Sequence, residues 1–314
     1  MTAPQCSIII RAYNEEKHLG RLLQGIQEQR IINTQIILVD SGSTDNTRLV
    51  AQDYPVEIVD IAPQDFTFGR SLNLGIQHAA APVIVMASAH VYPVYPDWLE
   101  RLLEPFENDR IALVYGKQRG AATTHFSEHQ IFHHWYPEES VKWQQHPFCN
   151  NANSAVRRDL WQGHPYDETL PGLEDLEWGK WAQEQGYGIT YCAEAEVIHV
   201  HNESLAGIFN RYKREAMAFK RIYPHETFHL RDLGRLFYQN VMSDWREAGR
   251  QKAFSANWWK IAGFRWRQFY GTYQGYRQSG PLTWHLKKAF YYPRDPVGDK
   301  KQTGRRDVQP IQYN

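Results

Sequence analysis

Three short stretches of this 314-residue chain carry polar residues in arrangements that could do chemistry. Asp40 ends the apolar run "QIILVD" and precedes Ser-Gly-Ser-Thr-Asp, so a carboxylate able to accept hydrogen bonds from a base or a ribose stands beside a turn whose N–H groups suit anions. Ser88 and His90 close the run "VIVMASAH", where a protein that binds a metal nucleotide would be expected to carry paired carboxylates. Glu174 and Asp175 stand side by side at the start of "EDLEWGKWAQEQG". A plain turn followed by a helix cap also explains the Asp40 segment.

The first 117 residues alternate between apolar, strand-like runs and stretches with helical spacing of apolar residues. Strands are predicted at 6–12, 35–40, 56–61, 83–88 and 111–117, and helices at 14–29, 69–80 and 96–106, with a further helix capped by Ser43 or Thr44. This alternation predicts an α/β fold with a doubly wound, mostly parallel sheet. Ligands bind such sheets beyond the carboxyl ends of the strands, here residues 11–14, 40–43 and 88–90.

The later part of the chain is predicted to be more helical. Helical spacing marks residues 173–186 and the basic, amphipathic segment 204–223, while "GITYC" and "AEVIHV" between them suggest two short strands. Residues 1–204 carry a net charge of −13 and residues 205–314 a net charge of +13, and the latter also hold 22 aromatic residues. The last third is therefore a different kind of surface from the rest.

Composition and motifs exclude several classes of protein. No apolar run approaches the roughly 18–20 residues that span a bilayer, and "MTAPQCSIIIRAYNEE" lacks a basic leader and a cleavable apolar segment, which argues against export. The three cysteines are widely spaced, which fits the cytoplasm rather than a disulfide framework. The sequence contains no GxGxxG after its first strand, no P-loop and no GxSxG, which counts against dinucleotide binding, P-loop chemistry and an α/β-hydrolase.

Four motifs in order resemble the nucleotide-sugar glycosyltransferases of family 2, whose catalytic domain has the GT-A fold. The opening "SIIIRAYNEEKHLGRLL" and the turn "IILVDSGSTDNT" are similar to the family's, although Arg11 stands where proline is common and Ser41 where a second aspartate is common. "FGRSLNLGIQHA" resembles its G-x-A-x-N-x-G helix, and "LPGLEDLEWGKW" with "VIHVHNES" resembles its ED helix and following histidine-containing strand. The resemblance covers roughly residues 6–220. It is specific for the family and unspecific for the substrate.

The resemblance implies a nucleotide-diphosphate sugar as donor and a transferase of the hexosyltransferase type, EC 2.4. The residues expected to bind the donor are those at which the motifs match: Ala12, Tyr13, Glu15, Asp40, Ser41, Gly69, Asn73, Ser88 and His90. It also implies an inverting transfer in which Asp175 is the general base and Glu174 a second catalytic carboxylate beside it. The alternative is that both acids only complement the dipole of a helix N-terminus.

The resemblance leaves the metal requirement open. The family commonly has Asp-x-Asp where this chain has Ser88-Ala89-His90, and "SAHVYPVYPDWL" looks like a variant found in rhamnosyltransferase-like members. A divalent metal, Mn or Mg, is possible, with His90 as one ligand and His199 or, matching the family better, His201 as another. Neutral imidazole suits Mn or Zn better than Mg. Alternatively the site is metal-free, and His90 together with cationic side chains neutralises the diphosphate.

The acceptor side is expected in the middle of the chain. "PFCNNANSAVRRDLW" resembles the family's segment beneath the acceptor, so Asn151 and Asn153 are expected to bind the acceptor, together with Trp178. Helical spacing also predicts that Trp98, Trp178 and Trp181 are core residues. His125, His129 and His133 would share one helix face and are expected to line the acceptor cleft or a packed interface rather than to form a zinc site.

The predicted organisation is a GT-A catalytic domain at 1–204, a helical, basic and aromatic extension at 205–298 and a polar tail at 299–314. The catalytic domain would comprise a nucleotide-sugar-binding half at 1–117 and an acceptor-side half at 118–204.

The expected partners are the nucleotide-sugar donor and a glycan or lipid-linked acceptor, with no nucleic acid, since no reading motif accompanies the charge. The segment "NWWKIAGFRWRQFYGTYQGYR" mixes aromatic and basic residues, as peripheral membrane segments do, and would place a cytoplasmic protein at the inner face of the membrane. Two alternatives compete with membrane contact. The first is that the aromatic residues pack a helical subdomain. The second is that the basic face docks on the acidic part of the same chain or of a homodimer partner. Two other functions stay open as well, a nucleotidyltransferase-like enzyme and an inactive module that binds a nucleotide sugar or polysaccharide.

Overall fold

The computed structural model of the chain describes residues 3–201, 203–277 and 308–313. The described strands are β1 (Cys6–Ala12), β2 (Thr34–Asp40), β3 (Val56–Asp60), β4 (Val83–Ser88), β5 (Val91–Pro93), β6 (Ile111–Gly120), β7 (Asn153–Arg157) and β8 (Gly188–His199). The described α-helices are α1 (Leu19–Gln27), α2 (Thr47–Gln52), α3 (Phe68–Gln77), α4 (Trp98–Leu103), α5 (Phe126–Trp135), α6 (Arg158–Gly163), α7 (Glu174–Glu184), α8 (Leu205–Ile222), α9 (Leu230–Arg250) and α10 (Phe254–Arg277). Short 3-10 turns cover Pro63–Asp65 and Glu104–Glu107.

One eight-stranded sheet with the order β3-β2-β1-β4-β7-β6-β8-β5 forms the centre of the fold. The strands β3, β2, β1 and β4 run parallel, as does the pair β6 and β8, whereas β7 and β5 are antiparallel to their neighbours. The predicted α/β fold with a mostly parallel, doubly wound sheet is thus confirmed.

The sheet has an apolar layer on each face, because the continuous apolar run of β1 alternates its side chains between the two. Ile8 and Ile10 join α1 and α4 in one fully buried cluster, and Ile9 joins α3 and α7 in the other. Trp98 and Trp178, both 0% exposed, fill one cluster each. The two tryptophans are core residues, as predicted, and Trp181 packs partly buried against the second cluster.

The three last described helices pack on one another and on the catalytic part. Gly271 and Gly275 of α10 allow close approach to α8, since a Cβ at these positions would lie only 2.5 and 2.4 Å from the carbonyl oxygens of Phe209 and Lys213. Phe219, Leu236 and Phe269 form a core between the three helices. Many of the aromatic residues are therefore explained by intramolecular packing.

The ends of the predicted extension and tail lie largely outside the described residues, which leave out 278–307 and 314. Within the described part of the tail, Ile311 donates its backbone N–H to the carbonyl of Val94 over 2.9 Å. Among the described residues no helix combines the length and the apolarity that a membrane crossing requires.

Two local expectations were wrong. Neither Ser43 nor Thr44 caps α2, which begins after Asn46, because Ser43 Oγ instead accepts the backbone N–H of Asn14. The segments "GITYC" and "AEVIHV" are not two strands but the single strand β8, whose pairing with β6 shifts register between Gly116 and Gln118.

Candidate active site

The carboxyl ends of β1, β2 and β4 meet at one edge of the sheet. In register, Ala12 lies beside Asp40 and Arg11 beside Ser88. The polar clusters identified in the sequence therefore lie at this edge of the sheet. The loop after β1 presents the side chain of Tyr13, which is 57% exposed, toward solvent.

Asp40 is buried, 1% exposed, and its carboxylate organises the turn that follows it. Both of its oxygens accept the backbone N–H of Ser43, at 3.3 and 3.2 Å, and one lies 3.2 Å from the guanidinium of Arg48. Ser41 turns inward and donates its hydroxyl to the carbonyl of Ala12. Gly42 has φ +87°, a backbone conformation that glycine adopts without strain.

Glu15 connects the first loop to the end of β4. Its backbone N–H donates to Thr47 Oγ1, and its carboxylate Oε1 lies 2.7 Å from Nδ1 of His90. His90 is thereby oriented with Nδ1 toward an acceptor and Nε2 left for another partner.

Three imidazoles converge at this place. His90, His199 and His201 offer ligand atoms that all lie within 4.8 Å of one another. The ring of His90 stacks on that of His199 at 5.1 Å, and the two Nε2 atoms of His199 and His201 are 3.0 Å apart. His199 and His201 both face His90.

Each of these histidines is held through Nδ1 by an acceptor of its own. His199 Nδ1 lies 2.7 Å from Gln118 Oε1, and His201 Nδ1 lies 2.7 Å from Glu128 Oε1. Burial, with the neighbouring His201 and His90, lowers the pKa of His199 well below its ordinary value, so this ring is neutral and its Nε2 carries a lone pair. Two Nε2 atoms at this distance require a proton or a cation between them. Imidazoles that are held through Nδ1 by an acceptor, with Nε2 free to bind a cation, are typical of metal sites.

Glu128 and Arg211 anchor this cluster from α5 and α8. Burial alone would raise the pKa of Glu128, but the charge of Arg211 and the hydrogen bond with His201 lower it to about 2. Arg211 approaches the carboxylate to 2.5 Å and also pairs with Glu203 at 2.7 Å. Sequence reasoning missed both residues, since neither belongs to a motif and they meet only through the packing of α8 on α5.

Glu174 and Asp175 begin α7, behind Leu173, whose φ of 57° turns the chain into the helix. Asp175 accepts two backbone N–H groups, from Asn151 at 3.1 Å and from Leu176 at 2.8 Å. Glu174 accepts from the guanidinium of Arg11 at 3.3 Å and from the amide of Asn151 at 3.5 Å.

The environment of Asp175 favours its neutral form. Burial raises the pKa of Asp175 from 3.8 to about 7, and the negative charge of Glu174 adds to the rise. The two backbone hydrogen bonds and the charge of Arg11 oppose it without cancelling it. A carboxyl whose pKa lies near neutrality is suited to general base catalysis. Arg11 stands where the resembled motif has proline, and from β1 its guanidinium donates to Glu174 and acts by its charge on Asp175.

Four residues expected at ligand sites are instead structural. Asn153 is 0% exposed and its side chain bonds to Trp98 Nε1 and to the carbonyls of Lys117 and Ala195. Trp178, also fully buried, donates its indole N–H to the carbonyl of His164. Both were expected to contact the acceptor, and the structure places their polar atoms in hydrogen bonds inside the core.

Asn73 and Gly69 of α3 serve the packing of the loop at 166–168. Asn73 donates to Tyr166 O and Glu168 Oε1 and accepts from Trp161 Nε1 and the Tyr166 N–H, so its amide has no capacity left for a donor substrate. A Cβ at Gly69 would lie 2.7 Å from the Asp167 carbonyl. Both residues were expected to bind the donor, and in the structure they hold α3 against the loop at 166–168.

The histidines on α5 do not come together as a metal site among the described residues. His125 precedes the helix and hydrogen-bonds through Nε2 with the carbonyl of Glu203. His129 lies against Gly120, where an added Cβ would approach its ring to 2.8 Å. These residues fit the expected packed interface.

A cavity of about 240 Å³ opens beside Asp175 and the imidazole cluster. Asp175, His199 and His201 lie in its wall, together with residues of α5, α8, α9 and α10. The arrangement therefore joins a candidate proton acceptor, a candidate cation site and a cavity with aromatic and polar walls in one place.

Comparison with known proteins agrees with this geometry. Residues 7–163, half of the chain, match the model of glycosyl transferase family 2. The chain belongs to this family. It is accordingly a glycosyltransferase that uses nucleotide-sugar donors, as its motifs predicted, and not a nucleotidyltransferase.

Two curated relatives are O-antigen chain rhamnosyltransferases. WbaN of Salmonella anatum is 27% identical over 223 residues, which cover 67% of this chain and 70% of WbaN. RfbN of Salmonella typhimurium is 28% identical over 220 residues, which cover 66% of this chain and 69% of RfbN. The predicted resemblance to rhamnosyltransferase-like members is thus confirmed.

Solved structures show the same fold. The mannosyltransferase PcManGT from Pyrobaculum calidifontis, solved with GDP-Man and Mn²⁺, superposes with a TM-score of 0.60 at 17% identity, covering 88% of this chain and 85% of that one. TarS 1-349 of S. aureus, solved with UDP-GlcNAc, gives a TM-score of 0.53 at 14% identity and covers 87% of this chain and 92% of its own. At these identities the likeness establishes the GT-A fold.

Proposed function

We propose that this glycosyltransferase inverts the anomeric centre of the donor sugar and that Asp175 is its general base. The observation that carries the proposal is a carboxyl, with a pKa raised to about 7, that lies in the wall of a cavity able to admit the acceptor. In the reaction, the acceptor hydroxyl loses its proton to Asp175 while its oxygen bonds to the anomeric carbon. The bond from that carbon to the diphosphate oxygen breaks, and the nucleoside diphosphate leaves with the electron pair.

Glu174 acts in this scheme as a positioning residue. Its carboxylate is held by Arg11 and by the side chain of Asn151, whose backbone N–H in turn holds Asp175. Its negative charge contributes to the raised pKa of Asp175. Asn151, expected at the acceptor, supports the carboxylates from beneath because it is only 3% exposed.

The donor nucleotide is proposed to lie along the edge formed by β1, β2 and β4. Exposed Tyr13 offers its ring to the base, and the turn that Asp40 holds presents backbone N–H groups to the ligand. Ala12, Ser41 and Ser88 shape the floor of this edge, since they occupy the strand ends in register. Glu15 holds His90 toward the diphosphate.

A divalent metal would be held by His90, His199 and His201. The three rings fit this role because each is oriented through Nδ1 and their ligand atoms converge. A nitrogen-only set favours Mn or Zn over Mg, which prefers oxygen ligands. When bound, such a cation offsets the charge that develops on the leaving diphosphate. Two similar structures were solved with Mn²⁺ beside a nucleotide or nucleotide sugar, which supports the proposal.

The acceptor is proposed to be a hydroxyl of a bacterial polysaccharide or of its lipid-linked precursor. The two O-antigen chain rhamnosyltransferases support this class, and they make dTDP-rhamnose the first donor to test, followed by UDP- and GDP-sugars.

We further propose that the tip of the α9–α10 hairpin rests on an anionic membrane at the cytoplasmic face. This tip is defined here as residues 245–260. It exposes Phe254, Trp258 and Trp259 by 43%, 48% and 71%. It also carries four cationic side chains, at positions 246, 250, 252 and 260, against one acidic residue, Glu247. Aromatic rings and cations mixed on one protruding surface are typical of interfacial contacts.

Release of nucleoside diphosphate tests the proposed reaction. The full chain is incubated with each sugar nucleotide, with and without Mn²⁺, and products are identified by ³¹P NMR. Nucleoside diphosphate is expected with at least one donor. Binding of every donor without release, in the presence of a rhamnose-containing glycan acceptor, would identify an inactive binding module instead.

A further inference from the structure

The cavity beside Asp175 is built from two parts of the chain. One wall comes from β6, α5 and the loop at 148–150, and the other from α8, α9 and α10, all of which lie beyond the residues that match the family model. The volume of about 240 Å³ is that of several liquid waters at about 30 Å³ each. The cavity opens to solvent on one side, and a concave site of this kind with a few polar groups in its wall is suited to a small ligand.

We infer that α8, α9 and α10 complete an acceptor pocket for a single uncharged sugar unit, with Glu215 as the main residue that recognises its hydroxyls. The inference rests on the proposed function, because it gives Asp175 the hydroxyl that it deprotonates.

The polar lining offers unused hydrogen-bonding capacity. Glu128 Oε2 is buried and has no hydrogen-bond partner among the described residues, while Oε1 of the same carboxylate holds His201 and Arg211. Glu215 faces the cavity from α8, and no described side chain forms an ion pair or a hydrogen bond with it by the usual distance limits. Ser243 and Gln130 add a hydroxyl and an amide from α9 and α5. A buried polar atom without a partner is costly, so Glu128 Oε2 indicates a ligand that donates a hydrogen bond. The half-buried Glu215, Ser243 and Gln130 add polar groups that can bind further hydroxyls of such a ligand.

The remaining wall is aromatic. Phe132, Tyr136 and Tyr212 are each less than 9% exposed and line the cavity, and Trp135 stacks on Phe148 at 4.2 Å beside them. Rings of this kind pack against the C–H face of a sugar while its hydroxyls turn to the polar side.

The charges of the lining decide the class of sugar. Four carboxylates, Glu128, Asp175, Glu215 and Asp244, line the cavity together with only two arginines. Arg265 is committed to Asp244 at 2.8 Å, and Arg211 to Glu128 and Glu203. Among the described lining residues neither arginine is free to balance a second anion, and a cation held by His199 and His201 would be offset by the diphosphate of the donor, so an anionic sugar would meet repulsion. The pocket therefore selects a neutral sugar and keeps any diphosphate of a lipid carrier outside it.

Saturation-transfer NMR on the full chain tests the ligand class. The probes are the methyl glycosides of rhamnose, glucose, galactose and mannose, each at graded concentration with the nucleoside diphosphate present, and methyl glucuronide as the charged counterpart. At least one neutral glycoside is expected to bind, and methyl glucuronide to bind at least about tenfold more weakly, since an uncompensated buried charge costs more than a hydrogen bond. Equal or tighter binding of the glucuronide would overturn the inference.

Variants separate this inference from the proposed reaction. Glu215→Gln is expected to weaken the neutral glycoside about tenfold, as loss of a charge-assisted hydrogen bond does, and Ser243→Trp to abolish its binding by filling the cavity. Glu247→Gln on α9 is the matched control and should bind the glycosides, bind the donor and hydrolyse it as the wild type does. Thermal unfolding verifies that each variant is folded.

Asp175→Asn should instead abolish donor hydrolysis and preserve glycoside binding. If it hydrolyses the donor normally, the proposed base is refuted. If the Glu215 and Ser243 variants bind the glycosides as the wild type does, the acceptor pocket is refuted while the proposed reaction stands.

Discussion

Asp175→Asn removes the proposed base without changing the size of the side chain. Proton transfer by one positioned carboxylate is commonly worth about 10²–10⁴ in rate, so the variant should lose that factor in the release of nucleoside diphosphate. Donor affinity should stay close to that of the wild type, because Asp175 lines the cavity proposed for the acceptor and does not belong to the strand ends proposed to bind the nucleotide. Glu177→Gln, a half-buried carboxylate two residues along the same helix, is the matched control and should retain activity.

The same substitution should change the pH dependence of stability in a direction fixed by the structure. The pKa of Asp175 rises from 3.8 to about 7 on folding, and one pKa unit corresponds to about 1.4 kcal/mol. The folded protein above pH 7 therefore holds an ionised carboxylate at a cost of about 4 kcal/mol. Between about pH 4 and 7 the folded state binds more protons than the unfolded state at this group, so its contribution to the free energy of unfolding falls as the pH rises.

Asparagine removes this charge but brings a new mismatch. Both carboxylate oxygens of Asp175 accept backbone N–H groups, and the amide NH₂ must now face one of these donors, at a cost of about 1–3 kcal/mol. We expect the stability of the variant relative to that of the wild type to rise by about 3 kcal/mol between pH 5 and pH 9, so that the variant is the more stable protein at pH 9. Urea unfolding of both proteins across this range measures the difference. A difference that is constant with pH would refute the raised pKa, and near-wild-type turnover in a folded variant would remove Asp175 from the mechanism.

Three further predictions concern the nucleotide, the metal and the membrane. Asp40→Ala should weaken nucleotide binding in calorimetry, because the turn after β2 loses the carboxylate that holds Ser43; a lower kcat with unchanged donor affinity would contradict this. EDTA should abolish activity, and Mn²⁺ should restore it better than Mg²⁺. His199→Ala should be as impaired as His90→Ala. Full activity in EDTA would refute the metal site and leave neutralisation of the diphosphate by cationic side chains as the explanation. Trp258→Ser with Trp259→Ser should reduce co-sedimentation with anionic vesicles at low salt, while Ile32→Ser, at an exposed apolar residue of the catalytic part, should not; equal binding to neutral vesicles, or none, would reject the membrane contact.

The nucleotide side of the fold could be predicted because local sequence decides it. Strong strand runs such as "CSIIIRA" and "QIILVD" set both the elements and their carboxyl ends, and parallel pairing then brings Ala12 beside Asp40. Helix bounds were less predictable: α1 begins at Leu19 rather than at residue 14, because the residues before it form the loop that carries Glu15.

The acceptor side could not be predicted in the same way. Asn73, Asn153 and Trp178 carry motif-like residue types, but their polar atoms are used up by partners 14 to 93 positions away in sequence. Conversely, Glu128, Arg211 and Glu215 belong to no motif and gain their roles only when α8 packs on α5. Tertiary contacts of this range leave no local signal in one sequence.

The opposite charges of the two halves of the chain are only partly explained by their packing on each other. Arg211 pairs with Glu128 and Glu203, and Arg221 donates to the carbonyl of Thr169, so some cations of the extension do meet the catalytic part. Arg265, however, is neutralised within the extension itself by Asp244. The cations of the hairpin tip are exposed, Arg250 pairs with Glu247 of the same tip at 3.2 Å, and the exposed tryptophans stand among them. Intramolecular docking therefore accounts for the buried face of the extension, whereas the tip keeps the charge and the aromatic area that an anionic surface would neutralise. Because each such cation contributes about 1 kcal/mol near an anionic leaflet, the tip suffices for reversible, salt-sensitive attachment, which would bring the acceptor pocket to lipid-linked substrates.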